Sequence, residues 1–195
     1  FFIRPRRFGK SIFLSMLHAY YDCSKKEKFQ TLFGDLWVGK HPTPLQGKYQ
    51  ILHLDFSYVG GGIEKLEENF NMYLRVKLDG FMRVYQEFYL ADFKEKFFKS
   101  DSATEKLALL QDETATKNLP LYLIIDEYDN FTNTVLNEQG ENVYWAITHA
   151  DGFYRDVFKK FKGMFERIFI TGVSPVTLDD VTSGFNIGWH ISTKP

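Results

Sequence analysis

Residues 4–11 read RPRRFGKS, and residues 12–21 continue as IFLSMLHAYY, an apolar run of helical type. Gly9-Lys10-Ser11 closes the pattern G-x-x-x-x-G-K-[ST], a loop that wraps phosphate groups. Each residue type has a task in such a loop. Gly9 lets the backbone turn tightly. The amides that open the next helix point at phosphate oxygens, and the helix dipole favours the negative charge. Lys10 would reach the β- and γ-phosphates, and the Ser11 hydroxyl would ligate Mg²⁺. Arg6, Arg7, Phe8 and Ile12 complete the candidate cradle around Gly9, Lys10 and Ser11. The first glycine of the pattern is replaced by Arg4, so the motif is degenerate.

A second stretch, LYLIIDEYDN at 121–130, supplies what a phosphate loop needs opposite it. Leu121 to Ile125 is an unbroken apolar run, as expected of a strand buried on both faces of a parallel sheet. It ends in Asp126 and Glu127. Ligands of open α/β sheets bind at the carboxyl ends of the strands, so the run delivers two acids to the edge where the loop lies. Asp126 fits the Walker B role of holding Mg²⁺. Glu127 fits a general base that orients the attacking water. Taken alone, such a strand would favour a solvated acidic turn. The order of the two motifs, with ample chain between them, favours a nucleotide site.

RPRRFGKS followed by IIDEYDN resembles the AAA-ATPase-like family of P-loop proteins, many of which carry a C-terminal PD-(D/E)XK nuclease-like domain. FITGVSP at 169–175 and TLDDVTSGFNI at 177–187 look like that family's strand after Walker B and the segment behind it, so the resemblance spans almost the whole chain. The basic loop with Arg4 in first position also looks like the family's usual form. The resemblance implies a three-layer P-loop NTPase fold of the additional-strand, AAA/STAND-like type. There the strand after Walker B lies between the Walker B strand and the P-loop strand. Thr171 and Ser174 would then lie beside the γ-phosphate. Either could act as a sensor, or each could cap the strand end with its own hydroxyl.

Composition agrees with an ordinary globular α/β domain. The 195 residues are 44% hydrophobic and 25% charged, enough for one domain with a sizeable core. Aromatics reach 17%, with 20 Phe and 11 Tyr, which points to a Phe-rich core. The net charge of −1 gives no global field to recruit nucleic acid. Residues 1–21 nevertheless hold Arg4, Arg6, Arg7 and Lys10 and no acid, a local patch suited to a triphosphate. The single cysteine, Cys23, excludes an internal disulfide and agrees with a reducing cytoplasm. No apolar run reaches the ~18 residues of a membrane span, and no signal peptide is visible. The opening FFI reads as the stub of a first strand. The expectation is a single domain over 1–195, a fragment lacking the rest of that strand and any C-terminal domain.

Strands alternating with helices predict a mainly parallel sheet. Lys10 to Tyr21 is the loop helix, with Phe13, Met16, Leu17 and Tyr20 towards the sheet. A strand is expected near 49–56, a break at the GGG of 60–62, and a long helix over Ile63–Leu90, possible to break at Gly80. One or two helices should fill 92–118. Residues 141–163 read as helical with Phe153, Val157 and Phe161 on one face, and Arg167–Val173 as another buried strand.

Weaker candidates surround the main site. Asp55 could be a further carboxylate or start a turn. Asp129 could cap the next helix or stabilise the loop, with Asn130 a competing cap, and Tyr128 could stack on a base or pack. Arg6 or Arg7 could act as a finger in cis, or be solvated. Arg155 or Arg167 could act from a neighbouring subunit. His18, His41, His53, His149 and His190 show no zinc spacing, so Mg²⁺ is the only metal expected. No guanine-reading N-K-x-D element occurs, which favours ATP. The reading is therefore ATP binding with Mg²⁺-dependent hydrolysis that drives a conformational change. The alternative is a nucleotide-gated protein or nucleic-acid interaction module without turnover, regulatory to a fused nuclease-like domain. The chain itself lacks a nuclease signature: IDEYD has Tyr128 and Asp129 where a lysine is needed.

Overall fold

A computed structural model of the chain describes residues 1–59, 65–149, 152–174 and 191–192. In chain order the elements are β1 (Phe2–Ile3), α1 (Lys10–Tyr21), α2 (Phe29–Phe33), α3 (Trp37–Lys40), β2 (Gln50–Asp55), α4 (Leu66–Val84), α5 (Ala91–Lys99), α6 (Ala103–Lys117), β3 (Leu121–Asp126), α7 (Tyr128–Gln139), α8 (Glu141–Thr148), α9 (Phe153–Met164) and β4 (Arg167–Gly172). Among the described residues the strands form one parallel sheet in the order β1-β4-β3-β2. Because all strands run the same way, the ends of β1, β2, β3 and β4 converge on one edge.

The period of two in each strand decides what meets there. Leu121, Leu123 and Ile125 of β3 point into the larger core, which α4, α6, α7 and α9 cover. Tyr122 and Ile124 point the other way, against Leu14 and Leu17 of α1. Asp126, next in phase with Ile124, therefore emerges on the α1 side. The same alternation in β4 sends Ile168 and Ile170 to the larger core and Phe169 to the α1 side. Thr171 then falls in phase with Phe169 and comes up beside Asp126. The sheet is thus flanked by helices on both faces.

The core is rich in phenylalanine, as the composition implies. Phe56, Phe70, Phe131 and Tyr154 form a chain of tilted and edge-on rings with centroids 5.1–5.7 Å apart, a spacing that suits the ring quadrupoles. Behind them the Lys106 ammonium is buried between Asp79 Oδ1 (2.6 Å) and the Phe97 carbonyl (2.8 Å), tying α6 to α4 and α5.

Several sequence expectations change in detail. Leu14 is fully buried on α1, while Phe13 and Met16 are exposed and line an apolar groove of about 270 Å³ with Trp37 and Val38. The sheet lies on the Leu14 side of the helix; Phe13 meets it through the Phe2 and Phe169 rings at 5.6 and 5.7 Å, while Tyr20 packs on Phe29 and Phe33 of α2 and Met16 lines the groove. Helix α4 runs through Gly80 without a break. Residues 141–163 split into α8 and α9, where Gly152 N–H bonds the His149 carbonyl at 2.9 Å. The glycines at 60–62, the segment 177–187 and His190 lie outside the described residues.

Candidate functional site

The loop between β1 and α1 is shaped by two left-handed residues, Arg7 (φ 65°) and Gly9 (φ 86°). Alternating backbone signs of this kind turn successive amides towards one concavity, which suits an anion. No atom of the structure stands within 4 Å of a Cβ built on Gly9, so its positive φ, not crowding, calls for glycine. The first helical bond joins Phe13 N–H to the Gly9 carbonyl at 3.0 Å. The amides of Lys10, Ser11 and Ile12 precede it and have no partner within the helix. The Phe8 and Ile12 side chains are exposed, so these residues offer the site their backbone. Arg6 and Arg7 are exposed as well.

Arg4 explains the lost glycine. Its N–H continues the sheet to the Gly172 carbonyl at 3.1 Å, and it is not among the left-handed residues. The guanidinium turns away, 5.6 Å over the Phe2 ring and 5.1 Å over Phe8. An L side chain fits this position without strain. Its carbonyl stays in the loop and accepts a bond from Lys10 Nζ at 3.0 Å.

Across the loop, Asp126 is buried and held from several sides. Ser11 Oγ donates to its Oδ2 at 3.2 Å, and Glu127 N–H donates to Oδ1 at 3.0 Å. The Thr171 hydroxyl, fully buried, also donates to Oδ1. The structure therefore brings together Ser11 and Asp126, 115 positions apart in the sequence. It commits Thr171 to Asp126, which puts that hydroxyl to work orienting the carboxylate. Ser11 and Asp126 are a donor pair of the kind that shares Mg²⁺ with phosphates and water. Among the described residues no group of three or more His, Cys, Asp and Glu is placed to cage a metal.

Glu127 takes a left-handed conformation (φ 51°) at the start of α7 and points at Lys10, with Oε1 3.6 Å from Nζ. Lys10 is 5% exposed and also donates to the Pro5 carbonyl at 3.3 Å. Burial pushes the Glu127 carboxyl above the usual range. Lys10 pulls it back, while Asp126 and Asp129 add to the rise.

Asp129 braces a junction whose partners the sequence did not show. It is 1% exposed, and its Oδ2 accepts from Ser174 N–H at 2.6 Å and Val173 N–H at 3.0 Å. It caps the end of β4, not the start of α7; Glu127 occupies the helix-capping position and Asn130 N–H bonds the Glu127 carbonyl at 2.9 Å. Tyr128 is buried, and its hydroxyl donates to the Ser174 carbonyl at 2.5 Å, so it packs and does not face a base. Ser174 sits at this junction with its backbone bound on both sides. Gly172 completes it: a Cβ there would lie 2.4 Å from the Tyr128 ring and 2.6 Å from Asp129 Oδ1. Only glycine lets α7 approach β4 so closely.

The remaining candidates lie elsewhere. Asp55 is the cross-strand neighbour of Asp126, but its carboxylate holds the turn, accepting from Ser57 N–H at 3.0 Å and Ser57 Oγ at 2.6 Å. Arg155 is half-buried on α9, on the face away from α1. Arg167 opens β4 at the opposite edge of the sheet, beside Glu166. His53 is half-buried on β2. Burial and the neighbouring His18 lower its pKa, and its Nε2 has no partner in the structure.

Comparison with known protein families settles the relationship: the family described as Predicted AAA-ATPase matches residues 1–182. The chain belongs to this AAA-ATPase-like family. Neither the curated proteins nor the solved structures return a match. Membership implies nucleotide binding in general. No helix among the described residues is long and apolar enough to cross a membrane.

Proposed function

We propose that this chain is a P-loop domain that binds ATP with Mg²⁺ and hydrolyses it to drive a conformational change. The observation that carries the reading is the contact of Ser11 Oγ with Asp126 Oδ2 at 3.2 Å, made between residues 115 positions apart. It unites the ends of the two motifs on one edge, next to the first-turn amides of α1 and a buried lysine. The strand order supports the additional-strand class, with β4 between β1 and β3.

In this reading the amides of Gly9 to Ile12 and the α1 dipole receive the phosphates. Lys10 neutralises charge on the β- and γ-phosphates, and Arg6 or Arg7 adds to it from the rim. Ser11 and Asp126 hold Mg²⁺, which would offset charge on the phosphate oxygens. Thr171 and the Glu127 amide fix Asp126 for that task. Glu127 accepts the proton of the attacking water, and its raised pKa brings it nearer the range where a base works well. Ser174 stands at the end of β4 as a candidate contact to the terminal phosphate. The reaction is in-line attack of water on phosphorus, with catalysis mainly electrostatic. Cys23, half-buried and pushed up to about 11 by burial and Asp22, is a poor nucleophile.

The pairing of Lys10 with Glu127 supports a second reading, a nucleotide-gated module in which binding rather than turnover is the signal. Phosphate release from Mg-ATP by the wild type and Glu127→Gln separates the two. Turnover lost in the variant with binding retained supports hydrolysis. Equal ATP and ADP affinity with no turnover in either protein favours the module. Wild-type turnover in Glu127→Gln removes Glu127 as the base.

A further inference from the structure

We infer that Glu127 is a built-in stand-in for the terminal phosphates, holding Lys10 until an oxyanion replaces it and freeing itself as base only by that exchange. This rests on the nucleotide-binding reading above. The Lys10 ammonium has three N–H donors. Three oxygens surround it: the carbonyls of Arg4 (3.0 Å) and Pro5 (3.3 Å) and the Glu127 carboxylate (3.6 Å). A cation buried this far needs a counter-charge, and the two carbonyls are neutral. Among the described residues Glu127 is the carboxylate at ion-pair distance.

The backbone is built to hold this arrangement. Glu127 adopts a left-handed φ of 51°, which disfavours any residue with a Cβ, and strain of this kind gathers at switch positions. Its own N–H is tied to Asp126 Oδ1 at 3.0 Å, so the residue that pairs with Lys10 is fixed to the one that pairs with Ser11. The cationic group of the site is therefore satisfied by Glu127, and the metal-binding groups by one another.

Two consequences follow from the geometry. A ligand gains from Lys10 only if it brings an oxyanion able to displace Glu127. Nucleoside triphosphates, nucleoside diphosphates and pyrophosphate qualify, whereas a nucleoside monophosphate held by the outer loop amides leaves the pair in place. The arrival of the phosphate and the release of the base are also one event, because the same ammonium serves both anions. Water activation is thereby confined to a loaded site.

The test is calorimetric titration of the whole chain with a Mg-bound non-hydrolysable ATP analogue and, separately, with AMP. Wild type, Glu127→Gln, Glu127→Ala and Lys10→Ala are compared. A partly buried pair removed from competition should tighten analogue binding in both Glu127 variants by roughly fivefold or more. AMP affinity should not move, and Lys10→Ala should lose the analogue. Unchanged or weaker analogue binding in both Glu127 variants, with binding still lost in Lys10→Ala, overturns the exchange while leaving the nucleotide reading intact. No binding of the analogue by the wild type overturns both.

Discussion

Replacing Asp129 should weaken the junction of β4 and α7 by an amount that its hydrogen bonds set. Its Oδ2 accepts from Ser174 N–H at 2.6 Å, Val173 N–H at 3.0 Å and Asn133 Nδ2 at 3.4 Å, while Oδ1 lies 3.2 Å from Val173 N. In Asp129→Asn the amide oxygen takes the Oδ2 place and keeps the backbone bonds, but their charge is lost. Hydrogen bonds to charged groups exceed neutral ones by about 1 kcal/mol, so the Asn variant should lose about 2 kcal/mol over two such bonds. In Asp129→Ala both amides lose a partner that is itself 1% exposed. Unsatisfied buried donors cost about 1–3 kcal/mol each, which gives roughly 4 kcal/mol for the Ala variant. For a chain of this size ~1 kcal/mol moves Tm by about 2–4 °C, so the expected falls are about 4–8 °C and 8–16 °C. Thermal unfolding by circular dichroism at fixed pH measures both. If Asp129→Asn matches the wild type, or Asp129→Ala is no worse than Asp129→Asn, the carboxylate does not anchor β4 as described.

Other expectations concern strain and pH. The left-handed conformation of Glu127 (φ 51°) costs an L residue about 1 kcal/mol that glycine avoids. Urea unfolding should therefore find Glu127→Gly more stable than Glu127→Ala by that amount, although both lose turnover; equal stability would mean the conformation relaxes. Burial and His18 hold the folded-state pKa of His53 below its unfolded value, and Lys77 acts in the same sense against Asp126 and Asp55. Stability from a depressed histidine is fully present above the unfolded pKa of about 6.5 and lost as pH falls through the folded pKa. His53→Leu should therefore lose less stability than the wild type between pH 7 and 5, and an identical loss would exclude His53 as the source. Removing the Tyr85 hydroxyl, which donates to Asp22 Oδ1 at 3.0 Å and accepts from Ile51 N–H at 2.8 Å, should cost about 1–3 kcal/mol in Tyr85→Phe, measured the same way.

What the sequence made legible was local. The start of α1 at Lys10 follows from a Gly-Lys-Ser turn opening an apolar run, and β3 follows from five apolar residues ended by an acid. The junctions that serve the site are long-range, and the sequence carries no nearby mark of them. Asp129 meets Val173 and Ser174 across 44 and 45 positions, and its place after Glu127 points to a helix cap or a loop brace without naming these partners. Thr171 was within reach, because alternation along Arg167–Gly172 puts it in phase with Phe169 on the α1 face. Gly172 had a similar signal, a glycine closing a buried strand. Phe13 does meet the sheet, through the Phe2 and Phe169 rings, whereas Met16 in the same helical stripe faces the groove beside Trp37 and Val38. The split of α8 from α9 was signalled by Gly152, which interrupts an otherwise helical pattern.

The central claim is that Lys10 and Ser11 form a phosphate loop completed by Asp126. Calorimetric titration of the chain with Mg-ATP, beside Lys10→Ala and with thermal unfolding to show that the variant folds, tests it most directly. The account predicts micromolar binding by the wild type and none by a folded Lys10→Ala. Binding of equal strength in both proteins, or none in the wild type, would contradict it.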